Sequence, residues 1–166
     1  LAPSVRSAYF APRPRRGLSG VARDAGLLLA NLAAVLLAGA AYAWLYNKIA
    51  GRPLEDQFIR SFIRLDSPLN VALSVFTIAL AIPFYEEVVY RGFLTDALGR
   101  RLPPAAATVC AAAAFGLVHG WAYALPVGAL GLAAGLLRLR ERSLWLPVAL
   151  HAVFNGLALA LIAAGA

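Results

Sequence analysis

Charge is scarce in this sequence. Only 14% of the 166 residues are Asp, Glu, Lys or Arg, against 61% that are hydrophobic. A soluble domain of that size would have too little polar surface left to cover its core, so a soluble globule is excluded. Cysteine is nearly absent. The single Cys110 rules out an intrachain disulfide, and its place among alanines makes it an expected small buried hydrophobe. Acidic residues are few, 8 against 15 basic ones, for a net charge of +7. In a soluble protein that excess would point to nucleic acid. Here the rule that basic residues gather on the cytoplasmic side of a membrane accounts for it, and no nucleic-acid partner is expected. No apolar run precedes Gly26, so residues 1–23 do not read as a secretory signal. Strand-like alternation is missing from runs such as Ala105–Val118, which excludes a membrane barrel.

What remains is an all-α, polytopic transmembrane helical bundle of about five spans in one domain. Residues 1–23, with Arg6, Arg13, Arg15, Arg16 and Arg23, read as a basic cytoplasmic juxtamembrane arm touching anionic headgroups. Residues 24–166 form the helical domain. Its first span covers 24–46, with Asp24 as N-cap and Asn31 as interhelical glue. A mixed-charge connector, 47–66, has the spacing of a short interfacial helix. Ser67-Pro68 starts a long second helix that runs to about Leu98 and carries a kink at Pro83. Pro103-Pro104 open the third span, which ends near Gly120. The fourth covers 126–139 with a small-residue face of Gly128, Gly131 and Gly135, and the fifth covers 143–164. Ten of the basic residues fall on the side of the N-terminus and four on the opposite side, with Arg91 inside the bilayer, so the N-terminus is expected in the cytoplasm.

Against this apolar background a few polar residues stand out. Glu86, Glu87 and Arg91 place three charges within six residues of the second helix. Each costs roughly 2.5–3.5 kcal/mol at bilayer depth even on lenient scales, so partners are required. The only two histidines lie on other spans, in Phe115-x-x-x-His119 and His151-x-x-x-Asn155. Counted from the cytoplasmic ends at 1.5 Å per residue, Glu86 and His119 lie roughly 20–24 Å deep, and His151 and Asn155 roughly 12–18 Å. All four fall in one slab of the membrane. The i,i+4 spacing pairs Glu87 with Arg91 and puts His151 and Asn155 on one face. Glu86, about 100° round the helix from Glu87, is left to face a cavity.

A free carboxylate, two imidazoles and an amide suffice to hydrolyse a peptide bond without a covalent intermediate. The carboxylate takes a proton from water, an imidazole orients that water, and the remaining groups donate to the oxyanion. Zinc is a rival use of Glu86, His119 and His151, although the one-helix spacing of soluble metalloproteases is absent. Tyr90 is expected to pack rather than donate. A base must stay ionised, so the site is expected to admit water through a cavity open to one face. Two non-proteolytic readings use the same residues. They are a membrane immunity or scaffold protein with a structural Glu87–Arg91 pair, and a proton-coupled transporter.

The motifs Glu86-Glu87-x-x-x-Arg91, Phe115-x-x-x-His119 and His151-x-x-x-Asn155, in that order on separate spans, resemble those of the CAAX protease and bacteriocin-processing (CPBP, Abi) family of intramembrane proteases. Gly92-Phe93-Leu94 and Pro147 are similar too, and the resemblance covers residues 67–161. It implies an intramembrane endopeptidase acting on a membrane-associated protein or peptide. Glu86 and His119 would activate water, His151 and Asn155 would stabilise the oxyanion, and Glu87, Arg91 and Phe115 would support them. It also implies an integral protein of a bacterial inner membrane. Eukaryotic members remove the last three residues of prenylated proteins. Bacterial members are linked to peptide maturation, self-immunity and processing of C-terminal sorting signals.

Overall fold

The computed structural model describes residues 9–10, 17–54 and 66–164. Apolar runs without alternation predict helices, and the described residues form helices with no strand. There are five long ones: α1 Leu18–Ala50, α2 Pro68–Gly99, α3 Pro104–Val118, α4 Ala124–Glu141 and α5 Trp145–Ala163. α1, α2 and α5 are long and apolar enough to cross a membrane. α3 is apolar but has 15 residues, about 22 Å at the standard rise. α4 carries Arg138, Arg140 and Glu141 at its end. Length and composition thus mark three of these helices as crossings of an all-helical integral membrane protein.

The ends of these helices follow local chemistry. Ser67 caps α2 as expected, its hydroxyl accepting from the Asn70 N–H at 3.2 Å, with Pro68 at the first helical position. Asp24 does not cap α1. The helix already begins at Leu18 behind Gly17, so Asp24 lies a turn and a half inside it. Asn31 does not bridge helices either. Its amide donates to the Leu27 carbonyl of its own helix at 2.8 Å, the local bond open to any side chain one turn along. Between α3 and α4, Gly120 takes a φ of 92°, a left-handed turn that only glycine makes without strain. The proposed interfacial helix in the 47–66 connector falls on residues 55–65, outside the described residues.

α3 and α4 make the closest pairing, and small residues are the reason. A Cβ on Gly131 would lie 2.9 Å from Arg91 Nη2, 3.1 Å from Phe115 Cδ1 and 3.2 Å from Ala112 Cα. One on Gly135 would strike the Thr108 methyl at 2.5 Å. The glycine face expected of α4 thus lets the two backbones approach. Around it Val35, Phe115, Leu130, Leu137, Leu146 and Leu150 form the apolar core. Cys110 is not part of that core. It is exposed, because it stands on the face of α3 turned away from α4.

The basic arm also differs from expectation where it is described. Tyr9 is buried, its carbonyl accepts the Leu144 N–H at 2.9 Å, and its ring covers Gly92 and meets Phe93 edge-on. Phe10 stacks on Phe84 and meets Trp145 edge-on. Two aromatic side chains gain more from this protein surface than from headgroups. Burial pushes the Tyr9 phenol above its ordinary range, and the hydrogen bond and charge of Asp96 push it further. Residues 18–23 belong to α1.

Candidate active site

α2 is not a uniform helix. Two π-helical stretches, Val75–Ala81 and Val88–Leu94, flank an α-helical segment Ile82–Glu87. Such stretches are uncommon and collect at functional sites. The two glutamates close the central segment and leave it in different directions. Glu87 is fully buried, whereas the Glu86 side chain keeps 19% of its surface.

Glu87 faces inward to a buried cation. Its Oε1 accepts from Arg91 Nη1 at 2.9 Å, the pair expected one turn apart. The same oxygen accepts from His151 Nδ1, also at 2.9 Å. A carboxylate held by Arg91 can only accept, so the His151 Nδ1 carries a proton and Nε2 is turned to the other side. There it stands 3.6 Å from Glu86 Oε2. His119 is set in the same manner from a different helix. Its Nδ1 lies 2.7 Å from the Phe115 carbonyl, which also can only accept, and its Nε2 stands 3.8 Å from Glu86 Oε1. Two imidazole Nε2 atoms from α3 and α5 thus flank one carboxylate from α2.

Phe115 is the hub of this arrangement. Its fully buried ring meets His119 at 4.8 Å, His151 at 5.6 Å and Tyr90 at 4.9 Å, all edge-on, and the Arg91 guanidinium lies over it at 4.3 Å. One ring therefore fixes both histidines and screens the buried cation. Tyr90 packs, as expected. Glu87 Oε2 and Arg91 Nη2 find no hydrogen-bond partner among the described residues.

Asn155 is on the same face of α5 as His151, but its amide is engaged. Nδ2 donates to the Ile78 carbonyl of α2 at 3.0 Å, a bond that the motif spacing does not reveal. Among the described residues no three His, Cys, Asp or Glu side chains stand as a metal-holding group. The side chains of Glu86 and His119 are 19% and 32% exposed, so the protein itself does not close them off. Two cavities, of about 280 and 490 Å³, lie at the Thr95–Leu102 end of α2, away from these groups.

Comparison with known proteins agrees with the motif reading. Residues 68–157, more than half of the chain, match the family described as type II CAAX prenyl endopeptidase Rce1-like. No curated protein and no solved structure matches the chain. The matched region begins at the first residue of α2, ends just beyond Asn155, and contains Glu86, Glu87, Arg91, Phe115, His119 and His151. The chain belongs to the Rce1-like family of type II CAAX prenyl endopeptidases.

Proposed function

We propose that the protein is an intramembrane endopeptidase that hydrolyses a peptide bond of a membrane-associated protein or peptide by direct attack of water. The observation that carries this reading is the Glu86 carboxylate between His119 Nε2 and His151 Nε2, at 3.8 and 3.6 Å. A water beside Glu86 and His119 donates one hydrogen to Glu86 Oε1 and the other to the unprotonated Nε2 of His119. Its lone pairs are then free to attack a carbonyl carbon. As the C–O bond forms, Glu86 takes the proton and later delivers it to the leaving amine. His151, with Nδ1–H given to Glu87, turns Nε2 toward the reacting carbonyl and donates to the oxyanion when that nitrogen also carries a proton. The second hydrogen on Asn155 Nδ2 is the further donor. Glu87, Arg91 and Phe115 hold His151 in place. An integral protein of a bacterial inner membrane with its N-terminus in the cytoplasm fits the distribution of basic residues.

The test is reconstitution in liposomes with a membrane-anchored peptide. Glu86→Gln abolishes cleavage and His119→Ala lowers kcat by about 10²–10⁴-fold, the usual worth of acid–base groups, while both variants still insert. Cleavage by Glu86→Gln at the wild-type rate removes the reading. Loss with a chelator and recovery with zinc would turn Glu86, His119 and His151 into metal ligands. A proton flux without proteolysis would make the protein a transporter.

A further inference from the structure

Asn155 spends an amide hydrogen on a backbone carbonyl, and the reason lies in α2. In an α-helix the Ile78 carbonyl accepts from the N–H of residue 82, and in a π-helix from that of residue 83. Here the Ile82 N–H goes to the Thr77 carbonyl, the π-type bond. Residue 83 is Pro83, which has no N–H. Both backbone partners of the Ile78 carbonyl are therefore gone, and Asn155 Nδ2 fills the vacancy at 3.0 Å. The two helices are seated on one another at this level. Ala79 is buried, and a Cβ on Gly156 would meet Ala79 Cβ at 3.8 Å.

We infer that Asn155 is a positioning residue: by capping the carbonyl that Pro83 leaves open, it holds the π turn of α2 and so the direction in which Glu86 points. Each residue taken up or lost by a π turn rotates the following helix by about 100°. That is the angle between Glu86 and Glu87 on the helix. Collapse of the π turn would exchange the exposed carboxylate at the histidines for its neighbour's direction. The same bond ties α5 one turn beyond His151, so one amide sets the phase of both elements that meet at the site. This role is additional to any donation by Asn155 to substrate, and it rests on the hydrolytic reading of the site.

The test is a double-mutant cycle of Asn155→Ala and Pro83→Ala in the full chain, read by thermal unfolding and by kcat and KM on a membrane-anchored peptide. The Pro83→Ala substitution supplies an N–H that can reach the Ile78 carbonyl without help from α5. Asn155→Ala alone is expected to lower kcat about tenfold or more with KM within about twofold, and to lower Tm, as an orphaned carbonyl requires. Adding Pro83→Ala should return kcat by at least about threefold and raise Tm again. A double variant no better than Asn155→Ala in either readout overturns the inference. So does a restored Tm with kcat still down, which would assign Asn155 to the reacting atoms alone. If Asn155→Ala does not fold, recovery of folding by Pro83→Ala supports the inference and continued failure overturns it. If the wild type itself cleaves nothing, the hydrolytic reading has failed, and coupling in Tm still decides the Asn155–Pro83 link.

Discussion

Glu87→Gln removes one charge from a buried pair and almost nothing else. Glu87 and Arg91 are 0% and 1% exposed, and a single oxygen serves both Arg91 and His151. The glutamine keeps the shape and an accepting oxygen but leaves a guanidinium without its counter-charge. Breaking a buried pair from one side costs about 3–5 kcal/mol. For a chain of this length that is a fall in Tm of about 6–20 °C. Arg91→Met should cost a similar amount for the opposite reason, a stranded carboxylate. The double variant strands neither member of the pair as a lone charge, so it should be more stable than either single one, even though it carries both changes. Unfolding of the four proteins in the same detergent measures this directly. Catalysis should not follow stability. Without the Glu87 carboxylate His151 has lost the charged acceptor of its Nδ1–H, and kcat should remain at least about tenfold below wild type, the loss expected when a charged hydrogen bond is given up. Losses that simply add in the double variant would show that the two residues are not a pair and would refute the reasoning.

Other outcomes follow from packing. Gly131→Ala puts a methyl group within 2.9–3.2 Å of Arg91, Phe115 and Ala112 and should cost about 1–3 kcal/mol, as overpacking does, with a loss of activity through the displaced ring of Phe115. Gly128→Ala, whose Cβ would meet nothing closer than the Ala112 carbonyl at 3.6 Å, should be far milder, and equal Tm values for the two would contradict this packing. Cys110→Ala on the exposed face of α3 should change stability by less than about 0.5 kcal/mol, read by the same unfolding assay.

The parts of this structure that could be read in the sequence are those with a one-residue cause. Ser67-Pro68 starts a helix because a hydroxyl and a fixed φ act locally, and Glu87 meets Arg91 because they share a helix face. Depth and motif order placed Glu86, His119 and His151 in one slab of the membrane, where they could converge, whereas the approaches of 3.6–3.8 Å depend on which helices are neighbours. Features that depend on a neighbouring element were not legible. Asn31 had a carbonyl of its own helix within reach, and nothing in its sequence context separated that from a partner across the bundle. Cys110 looked buried among alanines because the choice of which face of α3 meets α4 rests with the glycines of α4. The π turns leave no periodic mark at all. One signal was present: Pro83, five residues after Ile78, removes the donor that a π turn would use, and an amide at Asn155 is the kind of group that replaces it.

The most direct measurement of the central claim is C-terminal peptide mapping of membranes that contain the wild-type protein or Glu86→Gln at equal abundance. The account predicts new C-termini on one or a few membrane-associated proteins in the wild-type sample and none of them in the variant sample. The same new C-termini at the same level in both would contradict it, because the carboxylate between His119 and His151 would then have no part in breaking the bond.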